Sequence, residues 1–420
     1  MTSEPASSNE VAQCIARYAK FVHATIGPTH HVASPLGLWM LLALAASAAR
    51  AEERSKLADA LGMEVDRAVA SVGALLKSAH PAVSGALAAW KRHEASTLVL
   101  DAWLRGLPKQ VSRGWLPAQA AADGWASRHT RRMVRSFPIN FDSLTRVVLA
   151  SALGSQVEWE VPFEPARPIE LGAASSWAHR SIRVLRSSPG HRCSIATSGR
   201  AGDVAVHTAF SKGRDLKVTS VIAAPDVSPA DVMAAAHQAA DIEEPAADFQ
   251  FRSLFEFPLG ESPCWTMTEV DAGSGIRETA TAILPAWSAR SDHRFAAEPL
   301  LGFGAAGNAI AALLPPEPRG YGLRVRQSAT AEFSQHGFKA AAVAGFEVRW
   351  SRQRLEQVAR VATLRFGHPF AVVAVTADRP GSRLRGGYRG PWSGLPVFSA
   401  WVADPDRFQA IAPEVGDGDS

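Results

Sequence analysis

The chain has 420 residues, 47% of them hydrophobic and 20% charged, with a net charge of +4, which excludes an intrinsically disordered or membrane-embedded class. Eight of the 44 basic residues are Lys and the rest are Arg, a bias that goes with an Ala-rich composition rather than with a phosphate-binding design. No nucleic-acid partner is expected on that charge, and Cys14, Cys193 and Cys264, odd in number and far apart, exclude a disulfide framework or a zinc site.

The first ten residues have no basic start and no apolar run. They argue against a secretory signal, so the cytoplasm is the favoured compartment. Val11 to Thr25 carries apolar residues at helical spacing and reads as a helix. Ser34 is placed to cap the next one, with Pro35 in its first position, and the apolar stretch from Pro35 to Ala49 is short for a membrane span. A helix apolar on all sides belongs inside a fold. The charged run AEERSK then leads into a short helix, Leu57 to Leu61, ended by Gly62.

Ala68 to Ser78 reads as helix, Ser96 to Trp103 as strand, and Trp125 to Val134 with Ser143 to Arg146 as basic helix. RVVLASALGSQVEWEVPFEP reads as a strand closed by Trp159 and Phe163, and residues 176–300 as a sheet-rich middle of short strands. Near the C-terminus HPFAVVAVTAD and LPVFSAWVADP are two apolar strands, and residues 409–420 an acidic, disordered tail.

The stretch from Gln327 to Trp350, QSATAEFSQHGFKAAAVAGFEVRW, stands apart. Beyond Gly337 it alternates an apolar side with a side that carries every charge, the period of a half-buried strand. Its residues are nevertheless mostly Ala and Gly, which are poor strand formers. A strand pattern with weak propensity suits a segment that lies outside a sheet in one state and inside it in another.

Four blocks in this order resemble the serpin family over nearly the whole chain, and the resemblance implies a bacterial member. HVASPLGLWMLLALAASAA and AEERSKLADALGM look like the family's Ser-Pro block with its buried helix and the helix after it. In DGWASRHTRRMV, Trp125 and Thr130 keep the family spacing, with Asp123 where Asn is usual and Arg132 where Gly is. LASALGSQVEWEVPF aligns without a gap to a further block, and the stretch after Gln327, His368-Pro369-Phe370 and VFSAWVADP are similar to the hinge, reactive loop and closing strand pair.

The resemblance implies an α+β serpin fold: one domain over residues 1–408, with three sheets, eight or nine helices and a reactive loop at about 337–362. It implies no enzyme and no cofactor or metal, but a monomeric inhibitor of a trypsin-like or chymotrypsin-like serine protease, or of a cysteine protease. The target attacks the loop as substrate, and the cut loop inserts into the large sheet. Gly337 falls on the hinge, Ala340, Ala341, Ala342, Val343 and Ala344 on the small-residue run, and Ser34 and Trp159 on the sheet-opening region. Family spacing places the cut between Ser351 and Arg352, with Arg349 and Arg354 as alternatives. Phe338 stands where Thr or Ser is usual, Lys339 replaces Glu, Gln335 and His336 replace acidic residues, and Gly37 replaces Ser. The Phe338 ring must be buried as the first step of insertion, which favours the alternative of a non-inhibitory binding or carrier protein on the same scaffold. Many relatives act outside cells, which keeps an extracellular site open.

Three other signals have plainer readings. GFGAAG, from Gly302 to Gly307, spells a dinucleotide-binding pattern, yet seven residues before Pro315-Pro316 leave no room for the required helix, so a strand-connecting turn is expected. His30-His31 lacks further metal ligands at useful spacing. The basic run Arg128 to Arg135 reads as a solvated helix face rather than a polysaccharide site.

Overall fold

A computed structural model describes residues 4–240, 248–271, 278–295, 298–317, 321–338, 358–377 and 390–407. Helices dominate the start: α1 (Ser8–Ile26), then strand β1 (His31–Ala33), α2 (Pro35–Ala46), α3 (Ala51–Leu61) and α4 (Val65–Lys77). Ser7 caps α1 by accepting from the Glu10 amide at 3.2 Å. The Ser34 hydroxyl accepts from the Gly37 amide at 3.3 Å and caps α2, whose side chains are buried on nearly every side. α3 begins earlier than expected. The AEERSK run does not break the helix but forms its first turns, and Gly62, at φ +80°, closes it.

The middle of the chain supplies β2 (Val83–Lys91), α5 (Leu98–Gly106), β3 (Ser112–Trp115), α6 (Gln119–His129), β4 (Val147–Ser155), β5 (Val157–Glu158), β6 (Glu164–Ala166), β7 (Val184–Arg186), β8 (Arg192–Ser198), β9 (Gly202–Phe210), β10 (Leu216–Ile222) and α7 (Pro229–Ala240). The rest supplies β11 (Phe249–Arg252), β12 (Gly260–Glu261), β13 (Trp265–Asp271), β14 (Glu278–Pro285), β15 (Trp287–Arg294), α8 (Phe303–Ala311), β16 (Arg326–Phe333), β17 (Gly337–Phe338), β18 (Val358–Arg365), β19 (Phe370–Thr376) and β20 (Pro396–Val402).

Several expectations are corrected. Ser96 to Trp103 is not a strand: Thr97 accepts from the Leu100 amide at 3.0 Å and starts α5, which buries Leu100 and Leu104 while Leu98 and Val99 stay exposed. A short apolar run fits either period, and here the cap decides it. The basic helix ends at His129, because Arg131 and Arg132 take left-handed φ of 51° and 64°, and residues 143–146 are turn and extended chain. GFGAAG is not a turn between strands. Gly302 is left-handed and α8 starts one residue later, with a 3-10 turn rather than a strand before it. A Cβ at Gly302 would lie 3.1 Å from Ala60 and 3.3 Å from Leu42, so this glycine serves the packing of α8 on α2 and α3.

A seven-stranded antiparallel sheet runs β1-β20-β19-β10-β9-β8-β11. β19 explains why its sequence is apolar without alternation. Phe370, Val372 and Ala374 join the main core with α2, while Ala371, Val373 and Val375 pack with Val232, Met233 and Ala236 of α7, so both faces are covered. A six-stranded sheet runs β12-β13-β18-β14-β7-β6. It contains Val358 to Ala362, so part of the span read as reactive loop is strand.

Candidate functional site

The remaining strands form a sheet in two pieces. β4 pairs antiparallel with β2, which pairs parallel with β3, and β16 pairs antiparallel with β15. Among the described residues the other edges of β4 and β16 pair with nothing along their length. Backbone N–H and C=O groups on such edges form a template for one more strand. Between the two pieces lies a cavity of about 60 Å³, lined by Leu149, Ser151 and Leu153 of β4 and by Gln327 and Ala329 of β16.

α2 floors this cleft and α6 roofs it. Gln327 holds the floor to β16: its Oε1 accepts from the Ser34 amide and its Nε2 donates to the Ser34 carbonyl, both at 2.9 Å. The Ser34 hydroxyl donates in turn to the Val397 carbonyl at 2.7 Å. A Cβ at Gly37 would sit 3.2 Å from the Ser151 hydroxyl and 3.3 Å from Leu153, so the glycine lets α2 approach β4 closely. In the roof, Trp125 packs edge-on against Trp90 of β2 at 5.3 Å, with Phe137 against both rings. Thr130 ends α6 by donating to the Ala126 carbonyl at 2.8 Å and accepting from the Val134 amide at 3.0 Å. Asp123 accepts from the Phe137 amide at 2.8 Å and so fixes the segment that crosses the cleft.

The two pieces are joined at one end. After β16 the chain reverses over Gln335 and His336, with the Ser334 amide and hydroxyl both donating to the Gly337 carbonyl, at 3.1 and 2.9 Å. Gly337 and Phe338 then run back as β17, antiparallel to β5, with Gly337 opposite Glu158 and Phe338 opposite Val157. The amides of Trp159 and Phe163 donate to the carbonyls of His336 and Gln335, at 3.1 and 2.9 Å. Trp159 Nε1 donates to the Ser334 carbonyl at 3.0 Å, so its indole ties β5's strand to the turn. Phe338 is 6% exposed and belongs to the main core.

Beneath this junction Trp159, Phe163 and Phe333 pack at 5.2 to 6.1 Å, and Trp287 stacks on Phe333 at 6.1 Å. His191 Nε2 donates to the Val161 carbonyl at 2.7 Å, so its Nδ1 accepts from His207 Nε2 at 3.0 Å. Burial, with His191 alongside, pushes His207 far below the usual imidazole range. At the other end of the molecule His23 Nδ1 and His31 Nε2 lie 2.7 Å apart, and His23 Nε2 meets the Ser399 hydroxyl at 2.6 Å.

Gly337, Phe338, Ser34 and Trp159 therefore border one cleft, with Ser34 in the floor and Trp159 at the junction. Ala340, Ala341, Ala342, Val343 and Ala344, and the bond candidates Arg349, Ser351, Arg352 and Arg354, lie outside the described residues, as does Lys339. Gln327 is the residue that sequence reasoning missed. The alternation of QSATAEF puts Gln327, Ala329, Ala331 and Phe333 on one buried face, and a polar residue on that face needs a partner.

No protein-family model and no curated protein matches the chain. Solved structures do. The thermophilic serpin tengpin, in its native state, superposes with a TM-score of 0.62 at 12% identity over 96% of this chain and 97% of its own. The fold is the serpin fold. Serpin48 of the insect Tenebrio molitor matches at 0.60 and 13% identity over 95% of this chain and 99% of its own. Human thyroxine-binding globulin, complexed with thyroxine, matches at 0.61 and 11% over 94% of this chain and 98% of its own. The serpin fold thus accounts for the mixed α+β architecture, and among the described helices none is long and apolar enough to cross a membrane.

Proposed function

We propose that this chain is a monomeric inhibitor of a trypsin-like or chymotrypsin-like serine protease, which traps its target by inserting the cut loop between β17 and β18 into the cleft between β4 and β16. One observation carries the reading: two facing strands whose inner edges pair with nothing among the described residues, joined at one end by the first two residues of that loop. The target's nucleophile attacks the loop carbonyl of Ser351, or of Arg349, Arg352 or Arg354, forms an acyl-enzyme and releases the far side of the loop as a free amine. The acylated front part then continues from Phe338 into the cleft, with the small side chains of Ala340 to Ala344 entering between β4 and β16. A strand as long as the eight residues of β16, bonded on both edges, would contribute on the order of 10 kcal/mol at about 1 kcal/mol net per hydrogen bond. That is comparable to the whole stability of a domain and suffices to drive a protein-sized displacement.

Incubation with trypsin-like, chymotrypsin-like and elastase-like proteases tests this. The expected result is a covalent complex that survives denaturing electrophoresis, and a raised melting temperature once the loop is cut. Clipped chain with no complex and no rise would overturn it in favour of the carrier reading. That alternative is supported by the likeness to thyroxine-binding globulin in its complex with thyroxine.

A further inference from the structure

We propose that a recess along the free edge of β15 binds a phosphorylated sugar, with the phosphate held by Arg294 and Arg326 and the hydroxyls met by acceptors farther along the recess. The recess borders β15 on the side away from β16 and the cleft, and the proposal is independent of the loop-insertion reading. Its volume is about 360 Å³, with Arg290, Asp292 and Arg294 of β15 on one side and Thr25, Ile26 and Thr29, from the end of α1 and the turn after it, on the other.

Two arginines stand where the fold alone disfavours them. In the antiparallel register Arg294 lies directly opposite Arg326. The Ser288 amide donates to Asp406 at 2.9 Å and the Ser288 carbonyl accepts from His30 at 2.9 Å, so the backbone groups of Ser288 point away from β16. By the two-residue period those of Arg290, Asp292 and Arg294 point the same way, which makes Arg294 and Arg326 a pair of the non-hydrogen-bonded kind, with side chains at their closest. Like charges so placed destabilise a sheet. Arg324 has the Asp142 carboxylate at 2.9 Å, whereas among the described residues neither Arg294 nor Arg326 has a carboxylate within ion-pair distance. A phosphate dianion between the two removes the repulsion, and the guanidinium forks match its oxygens.

The recess supplies the remaining donors and acceptors. The amides of Arg290, Asp292 and Arg294 face it and have no acceptor among the described residues. Amides along a sheet edge favour an anion. Asp292 accepts from the Ser328 hydroxyl through Oδ1, which leaves its other oxygen as an acceptor beside the arginines. Across the recess the last carbonyls of α1, those of Thr25 and Ile26 among them, have no intrahelical partner. These acceptors repel a second phosphate and take hydroxyl donors. The ligand that fits therefore carries its charge at one end and hydroxyls along the rest.

Titration calorimetry of the full chain with glucose 6-phosphate, inorganic phosphate and glucose, at one ionic strength set with sodium chloride, tests the site. Glucose 6-phosphate is expected to bind at a single site, to raise the melting temperature, and to bind tighter than inorganic phosphate by on the order of tenfold, while glucose does not bind. Arg326→Ala should weaken glucose 6-phosphate binding by on the order of tenfold or more and also raise the urea midpoint of the ligand-free protein, because it removes the facing charge. Arg294→Ala should have the same two effects. The exposed Arg105 of α5 supplies the control, and Arg105→Ala should change neither quantity. No saturable binding of glucose 6-phosphate below about 10 mM would overturn the proposal. So would equal affinity for inorganic phosphate, or an affinity that Arg326→Ala and Arg105→Ala lower alike.

Discussion

The two ends of the loop are held in opposite ways. At its front, β17 pairs two residues with one neighbour, β5, and leans on a buried aromatic ring. At its back, β18 is eight residues long and bonded on both edges. A short, single-edged attachment at the mouth of an open cleft can lengthen one residue at a time, with each new pair lowering the energy. A double-edged strand in a covered sheet must break before it moves. Under the proposed insertion the contrast would make motion directional, with the front advancing and the back staying.

The contrast can be broken most directly at Phe338. Phe338→Ala removes the buried ring of the front anchor and should cost about 3 kcal/mol, read as a lower urea midpoint. An unchanged midpoint would mean that the ring is not seated. Gln327→Ala should cost about 2 kcal/mol, because it leaves the Ser34 amide and carbonyl buried without their partner. That variant weakens the tie between floor and β16, and amide exchange should accelerate in β16 while β18 is unaffected.

Acid should act on the same side of the molecule. Burial pushes His31 down to about 4, with His293 of β15 and His30 adding to the effect against the Thr29 carbonyl. The unfolded chain therefore takes up this proton first as pH falls through about 6.5, so stability is full above that value and declines until about pH 4. The loss from His31 should be on the order of 2 kcal/mol, and His31→Asn should make this part of a stability-against-pH curve shallower by that amount, with His23, His207 and His237, also lowered by burial, keeping the remaining slope. The smallest effect is expected from Glu160→Gln, which breaks a half-exposed pair with Arg214 at 2.8 Å and should change stability by no more than about 0.5–1 kcal/mol. A larger loss would show that this surface pair helps to hold the front anchor.

Much of the fold was legible where local chemistry and burial agree. α1, the Ser34 cap with Pro35, the Gly62 stop and the apolar strands β19 and β20 all follow from spacing and turn residues. Legibility failed where one pattern fits two periods or where glycine has more than one use. The apolar run of α5 matched a strand until Thr97 capped it, and Gly302 before α8 matched a turn between strands although it serves close packing. At the site, Gly337, Phe338, Ser34 and Trp159 were named from sequence, whereas Gln327 was not, because its importance lies in an amide pair with a residue far away in the chain.

By itself the sequence determined the segment to watch, an alternating stretch of small residues after Gly337, since period and side-chain size are local properties. Only the tertiary structure decided that Phe338 is buried, that β4 and β16 face each other unpaired among the described residues, and that β13 lies against β18. Strand pairing depends on which distant edges meet, and residues 265–271 carry nothing local that names 358–364 as their partner.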